Sequence, residues 1–134
     1  MKHLLETVWC TLKPSQIHGI GVFALRDITP GTQVIFEYDT IETCELTEAE
    51  LKKLPLPIQH EILARTIFIE DEPLTFLDPN CVANFRSYLN HSADPNTDGK
   101  RATRDIKAGE ELTESYTDMG KPHHLTQKYM ATVV

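Results

Sequence analysis

Asn90-His91-Ser92-Ala93-Asp94-Pro95-Asn96 is a dense run of polar and turn-forming residues, set directly after the apolar pair Tyr88-Leu89. A surface loop accounts for such a run. The same residues also carry ligand chemistry. Asn and Ser offer both donors and acceptors, and His offers a ring that can be neutral near pH 7, so the segment could hold the carboxylate and the amine of a zwitterionic ligand.

Moving upstream, Asp78-Pro79-Asn80 is a turn signal, and Leu74 to Leu77 before it reads as a short strand. Thr66-Ile67-Phe68-Ile69 reads as a further strand with Glu70-Asp71-Glu72-Pro73 as its turn, and Ile58 to Arg65 as a helical turn or two. Thr47 with Glu50 three residues on has the form of a capping box, which predicts a short helix through Leu51 to Leu54, ended by Pro55 and Pro57. At the N-terminal side, Val8, Cys10 and Leu12 alternate with Thr7, Trp9 and Thr11, the period of a half-buried strand. Gly19-Ile20-Gly21 interrupts before Val22-Phe23-Ala24, and Thr29-Pro30-Gly31 makes a turn before the β-rich run Gln33 to Tyr38.

One pattern occurs twice. Ala102-Thr103-Arg104-Asp105-Ile106-Lys107-Ala108-Gly109 echoes Ala24-Leu25-Arg26-Asp27-Ile28-Thr29-Pro30-Gly31, and each copy leads into a strand. Two copies are too few for a solenoid, so the expectation is one strand–turn–strand unit used twice in one fold. Many short strands with one modest helical insertion predict a mainly β domain; the absence of alternating long helices argues against a doubly wound nucleotide-binding fold.

The length of 134 residues suits one compact domain. Three widely spaced cysteines, Cys10, Cys44 and Cys81, argue against a disulfide framework and a paired-thiol zinc site, and predict three buried thiols in a reducing compartment. No apolar run approaches the ~20 residues of a membrane span, so no membrane association is expected and the reading is a soluble, intracellular protein, cytoplasmic or nuclear. A formal charge of −7 disfavours direct nucleic-acid binding and accommodates a basic partner, which the acidic clusters Glu42–Glu50 and Glu70–Glu72 could steer; a solvated acidic surface is the plainer explanation. A homodimer is compatible with all of this.

Three segments taken in order carry a family resemblance: His18-Gly19-Ile20-Gly21-Val22-Phe23-Ala24, then Leu89-Asn90-His91-Ser92 through Asp94-Pro95-Asn96, then Gly109-Glu110-Glu111-Leu112-Thr113 with Tyr116. Together they resemble the signature motifs of SET-domain protein-lysine methyltransferases. A glycine pair alone would only mark a turn. The resemblance runs from about Thr7 to Tyr116, with Ile35 to Tyr38 similar to the family's strand ending in a channel tyrosine. It implies a single SET domain over 1–134, with a β-clip-like fold, a C-terminal pseudoknot and a tail, 117–134, closing the site. It further implies S-adenosylmethionine as cofactor, leaving S-adenosylhomocysteine, with His18, Gly19, Ile20, Gly21, Asn90 and His91 holding it. The implied substrate is a lysine side chain of a basic protein, entering a channel walled by Tyr38 and Tyr116, the latter catalytic. An ordinary packed tyrosine remains the alternative for each ring. A catalytically silent SET-like binding module is the alternative for the whole chain.

The chain departs from the family pattern at Ala93, where many members carry a cysteine, at Glu114 (an aromatic), at Ser115 (an acid) and at Ser87 (an arginine, here displaced by one to Arg86). Those departures bear on substrate geometry. No cysteine-rich tail follows Tyr116, so Tyr129, His123 or His124 are left as candidates to cover an adenine, with a loose tail as the equal alternative. His123 and His124 with His91 lack acidic or cysteine partners at metal-ligand spacing, and no metal is expected there.

Overall fold

The structure, a computed structural model, describes residues 2–38, 42–65, 74–82 and 84–116. The expected strand at 66–69, its turn at 70–73, and the tail with His123, His124 and Tyr129 lie outside the described residues. Among the described residues the elements are α1 (Lys2–Thr7), β1 (Cys10–Pro14), β2 (Ile20–Ala24), β3 (Thr43–Leu46), α2 (Glu48–Lys52), α3 (Leu56–Arg65), β4 (Leu74–Leu77), α4 (Pro79–Val82), a 3-10 turn (Phe85–Tyr88), β5 (Asn90–His91) and β6 (Glu111–Glu114). Strands organise the molecule and the helices are short, as expected for a mainly β SET fold.

The larger sheet has the order β1-β2-β6-β5. β1 and β2 form an antiparallel hairpin with Cys10 opposite Ala24, β2 continues antiparallel to β6 with Val22 opposite Leu112, and β5 runs parallel to β6 with Asn90 opposite Thr113. The knot-like packing implied by the resemblance takes this form: the Asn90 to Asn96 segment lies along the C-terminal strand, with Ser92 N–H donating to Glu114 O and Thr97 N–H to Thr113 O. Beneath this sheet sits one core, built on Val22, Val34, Ile28, Ile106 and Leu112.

The two repeat copies pair with each other. Ile28 and Ile106 exchange both backbone hydrogen bonds, at 2.8 and 2.9 Å. The flanking bonds are matched as well: Gly31 N–H donates to Ala102 O and Gly109 N–H to Ala24 O, each at 2.8 Å, while Ala24 N–H reaches Glu110 O and Ala102 N–H reaches Thr32 O, each at 2.9 Å. The copies are thus related by a local twofold. Gly31 (φ 87) and Gly109 (φ 89) hold equivalent left-handed positions, which an L side chain rarely adopts.

A second core joins α1, α2, α3, β3 and β4 through Leu4, Leu46, Leu51, Ile58, Ile62 and Phe76, with Val8 just after α1. Leu4 and Val8 sit four apart, one helical face, and Val8 N–H donates to Leu4 O. The expected strand therefore starts later than Val8, at Cys10, because the first part of that alternation ends a helix. Arg26 stacks 3.5 Å over Trp9 and donates to Leu5 O, tying α1 to the larger sheet. β3 was not legible in the acidic run around it, yet Cys44 and Leu46 point inward with period two and pair with β4. The capping box forms as expected: Glu50 N–H donates to Thr47 Oγ1 and Thr47 N–H to Glu50 Oε1. Pro57 lies in the first turn of α3, where a missing N–H costs nothing, so the helix expected from Ile58 begins at Leu56.

Two further expectations are corrected. The run Gln33 to Tyr38 is not a regular strand: Val34 N–H and Ile35 N–H both donate to Lys100 O, and both side chains are buried. Two residues facing one partner is a bulge, and it breaks the alternation a strand requires. Of the three thiols, Cys10 and Cys44 are buried but Cys81 is only half-buried; none of the three is in a disulfide. Burial drives the Cys10 thiol far above its ordinary pKa, so it stays protonated. No helix among the described residues is long and apolar enough to cross a membrane.

Candidate active site

The three motif segments meet at one side chain. Asn90, at the start of β5 and 5 % exposed, turns its amide toward the β1–β2 turn. Its Nδ2 donates to His18 O at 3.0 Å, to Ser15 Oγ at 3.1 Å and to Glu111 Oε2 at 2.8 Å. Ser15 Oγ in turn donates to the Glu111 carboxylate, 2.7 and 2.9 Å from its two oxygens, and accepts from Ile17 N–H at 2.9 Å. The β1–β2 turn is closed beneath them by Ser15 N–H donating to Gly19 O at 2.8 Å. Ser15 and Glu111 were not singled out from sequence as site residues. The only available signal was Glu111's place in the third motif; Ser15 lies in an undistinguished polar turn.

Glu111 explains Gly21. A Cβ at position 21 would lie 2.4 Å from Glu111 Oε2 and 2.8 Å from its Cδ, with Ser15 Cβ at 3.0 Å. The carboxylate occupies the space that a side chain would need, and its bonds to Ser15 and Asn90 resist displacement. Gly21→Ala is therefore expected to lower stability by roughly 1–3 kcal/mol through overpacking. A melting temperature equal to wild type would show that Glu111 swings clear at no cost. Gly19, at φ 48 with nothing within 4 Å of a built Cβ, is required for its backbone instead.

His91, buried beside Asn90, accepts at Nδ1 from Tyr116 N–H at 3.2 Å. The neutral ring then carries its proton on Nε2, which fixes the tautomer. The Tyr116 ring lies 5.3 Å from the His91 ring, and the Tyr116 hydroxyl donates to Leu89 O at 2.6 Å. With its proton directed to that carbonyl, the Tyr116 oxygen presents lone pairs to anything else that approaches. Asn96 completes the frame: its Nδ2 donates to Glu111 O at 2.9 Å and its Oδ1 accepts from Thr113 N–H at 2.9 Å.

The sequence-predicted residues are thus placed as follows. His18, Gly19 and Ile20 lie exposed on the turn and the first residue of β2, with Gly21, Asn90 and His91 buried next to them. Tyr116 joins this group through His91 and Leu89. Tyr38 stands in a different environment, 37 % exposed, beside Thr7 and Asp78; burial, then the Asp78 charge, raises its hydroxyl pKa.

The departures at Arg86 and Glu114 fall together. Glu114 is 5 % exposed, and both its Oε2 and Arg86 Nη2 lie against Gly99. Burial raises the Glu114 pKa, Arg86 opposes that shift and Asp98 adds to it. A cleft of about 290 Å³ opens alongside, lined by Gln33, Ile35, Glu37, Arg86, Gly99 and Lys100.

A buried asparagine and histidine beside a glycine turn, with a tyrosine two residues beyond the partner strand, thus form one group. The SET domain family matches residues 19–117, and the chain belongs to that family. Among curated relatives, the histone-lysine N-methyltransferase SET5 of Meyerozyma guilliermondii is 41 % identical over 61 residues, 37 % of this chain and 13 % of its own length. The histone-lysine N-methyltransferase, H3 lysine-4 specific, of Schizosaccharomyces pombe is 31 % identical over 115 residues, 77 % of this chain and 12 % of its own. The chain therefore spans about an eighth of the length of these curated relatives. Among solved structures, the Chaetomium thermophilum Polycomb Repressive Complex 2 in a humanized mutant form matches 91 % of this chain and 16 % of its own, at 30 % identity and a TM-score of 0.44.

Proposed function

We propose that the chain binds S-adenosylmethionine beside Asn90 and His91 and catalyses transfer of its methyl group to a lysine side chain of a basic protein. The observation that carries this reading is Asn90: one buried amide ties the glycine turn of the first motif to Glu111 of the third. The polar atoms left over suit an amino-acid zwitterion. Among the described residues nothing donates to Asn90 Oδ1, which can accept from an ammonium, and His91 Nε2–H can donate to a carboxylate. His18, Gly19, Ile20 and Gly21 would supply backbone at close approach.

The cofactor would supply an electrophilic methyl on a sulfonium. The chain's own task is to present a neutral lysine nitrogen in line with it. Free lysine has a pKa of about 10.4 and is mostly protonated in the cell, so its site must disfavour the ammonium. Desolvation between aromatic walls does so, and Tyr38 and Tyr116 are the proposed walls. Tyr116, its hydroxyl proton spent on Leu89 O, would accept from the lysine N–H and make weak contacts with methyl C–H groups. Orientation of the two reactants would be the larger part of catalysis.

The names of the curated relatives point to histones as a substrate class, and a net charge of −7 is complementary to a basic protein. Incubation of the purified chain with labelled S-adenosylmethionine and a panel of basic proteins, with label located by mass spectrometry, tests the proposal. Label on a lysine is the expected result. Cofactor binding without label on any protein of the panel would favour the silent module, and no binding up to millimolar ligand, about 4 kcal/mol of affinity, would end both readings.

A further inference from the structure

Beside Tyr38, three segments far apart in sequence bring metal-ligand atoms together. His3 on α1, Cys44 on β3 and Asp78 at the end of β4 place one ligand atom each within 4.8 Å of one another. His3 Nε2 lies 3.2 Å from Asp78 Oδ2, and Cys44 Sγ lies 3.6 Å from His3 Nε2. We propose that His3 Nε2, Cys44 Sγ and Asp78 Oδ2 bind a divalent cation of the zinc class, clipping α1 to the β3–β4 hairpin.

The two edges from His3 Nε2 are those of ligands around a tetrahedral ion, and Cys44 Sγ lies within 4.8 Å of the carboxylate. Zinc bonds of about 2.0–2.1 Å to nitrogen, 2.3 Å to sulfur and 2.0–2.2 Å to oxygen give tetrahedral edges of about 3.6 Å between N and S and about 3.4 Å between N and O. Without an ion, a His–Asp hydrogen bond accounts for the 3.2 Å separation and a weak thiol–imidazole contact for the 3.6 Å one; an ion would engage all three atoms at once. Asp78 is prepared for the role: its Oδ1 accepts from Asn80 N–H at 2.9 Å, which orients Oδ2 toward His3. Asn80 Nδ2, in α4, donates to Thr7 O at 3.0 Å, so the segment after β4 also grips the far end of α1.

Charge balances at the site. A buried carboxylate and a thiolate together offset a dication, and neutral imidazole completes a mixed N, S, O set of the kind that selects zinc over calcium or magnesium. On binding, the Cys44 S–H proton leaves to solvent as the sulfur–metal bond forms. The His3 side chain is 53 % exposed and offers the entry path, and the fourth position would be held by water.

Zinc measured by elemental analysis on the intact protein, followed by replacement with cobalt, tests the site. The expected results are about one ion per chain and a near-ultraviolet thiolate-to-cobalt charge-transfer band. Cys44→Ser should erase that band. His3→Gln, at a half-exposed position that the core does not need, should fold normally by circular dichroism and bind cobalt roughly tenfold or more weakly, since even outer-shell losses cost that much. A protein that takes up neither ion, or one whose band and affinity survive both substitutions, overturns the proposal. Neither readout depends on methyl transfer.

Discussion

Turnover by Tyr116→Phe is expected to fall roughly 10²-fold or more, the scale for losing one preorganised polar contact in a dry site. The substitution keeps the ring and removes only the hydroxyl, so packing against His91 at 5.3 Å persists. Cofactor affinity should change little. The structure adds a cost that the motif alone does not suggest. The hydroxyl donates to Leu89 O at 2.6 Å, and its loss leaves that carbonyl without this donor, at roughly 0.5–1.5 kcal/mol of stability. Turnover per folded molecule, cofactor affinity and melting temperature measured on the same variant separate the two effects. A tyrosine that only packs would lower the melting temperature and leave the rate per folded molecule intact, and a fully active variant would remove Tyr116 from the chemistry.

Asn90→Ala should show the second large effect, on affinity. A side chain that bonds a charged ligand is worth roughly 1.5–3 kcal/mol to the complex, which corresponds to a loss of roughly 10- to 150-fold. From sequence, this loss is expected to exceed any effect on folding. The structure raises the folding cost, because Asn90 donates to Ser15, His18 and Glu111 from a position only 5 % exposed. Removing it strips a donor from the Glu111 carboxylate and unties the turn from β6, at roughly 1–3 kcal/mol. Calorimetry with S-adenosylmethionine, run well below the melting temperature of the variant, isolates the binding loss. An affinity that matches wild type under those conditions would make Asn90 a structural pin and move the cofactor's polar contacts elsewhere.

Local chemistry made much of the fold legible. Thr47 and Glu50 announce their capping box within a four-residue window, and Gly31 and Gly109 announce their turns because few other residues accept positive φ. Leu74 to Leu77 reads as a strand and is one. Where reading by period failed, a longer-range contact had overruled it. Val34 and Ile35 share one carbonyl on Lys100, so the most β-rich run in that region is a bulged edge rather than a strand. Helix α1 went unseen because only its Leu4 and Val8 face declares it, and that face matters only when the second core is there to receive it.

The same division runs through the site. The order of the three motifs, the repeated Ala-to-Gly unit and the glycine turn were all determined by the sequence itself, since each depends on residues near one another along the chain. Tertiary structure decided the rest. It paired the two repeats through Ile28 and Ile106, gave Asn90 three partners of which two, Ser15 and Glu111, carry no strong local signal, and brought His3, Cys44 and Asp78 within 4.8 Å of one another. The reason is physical. Conformational preference is set by neighbours a few bonds away, whereas a meeting of residues tens of positions apart depends on strand register and on which faces bury together, and neither is written in any single segment.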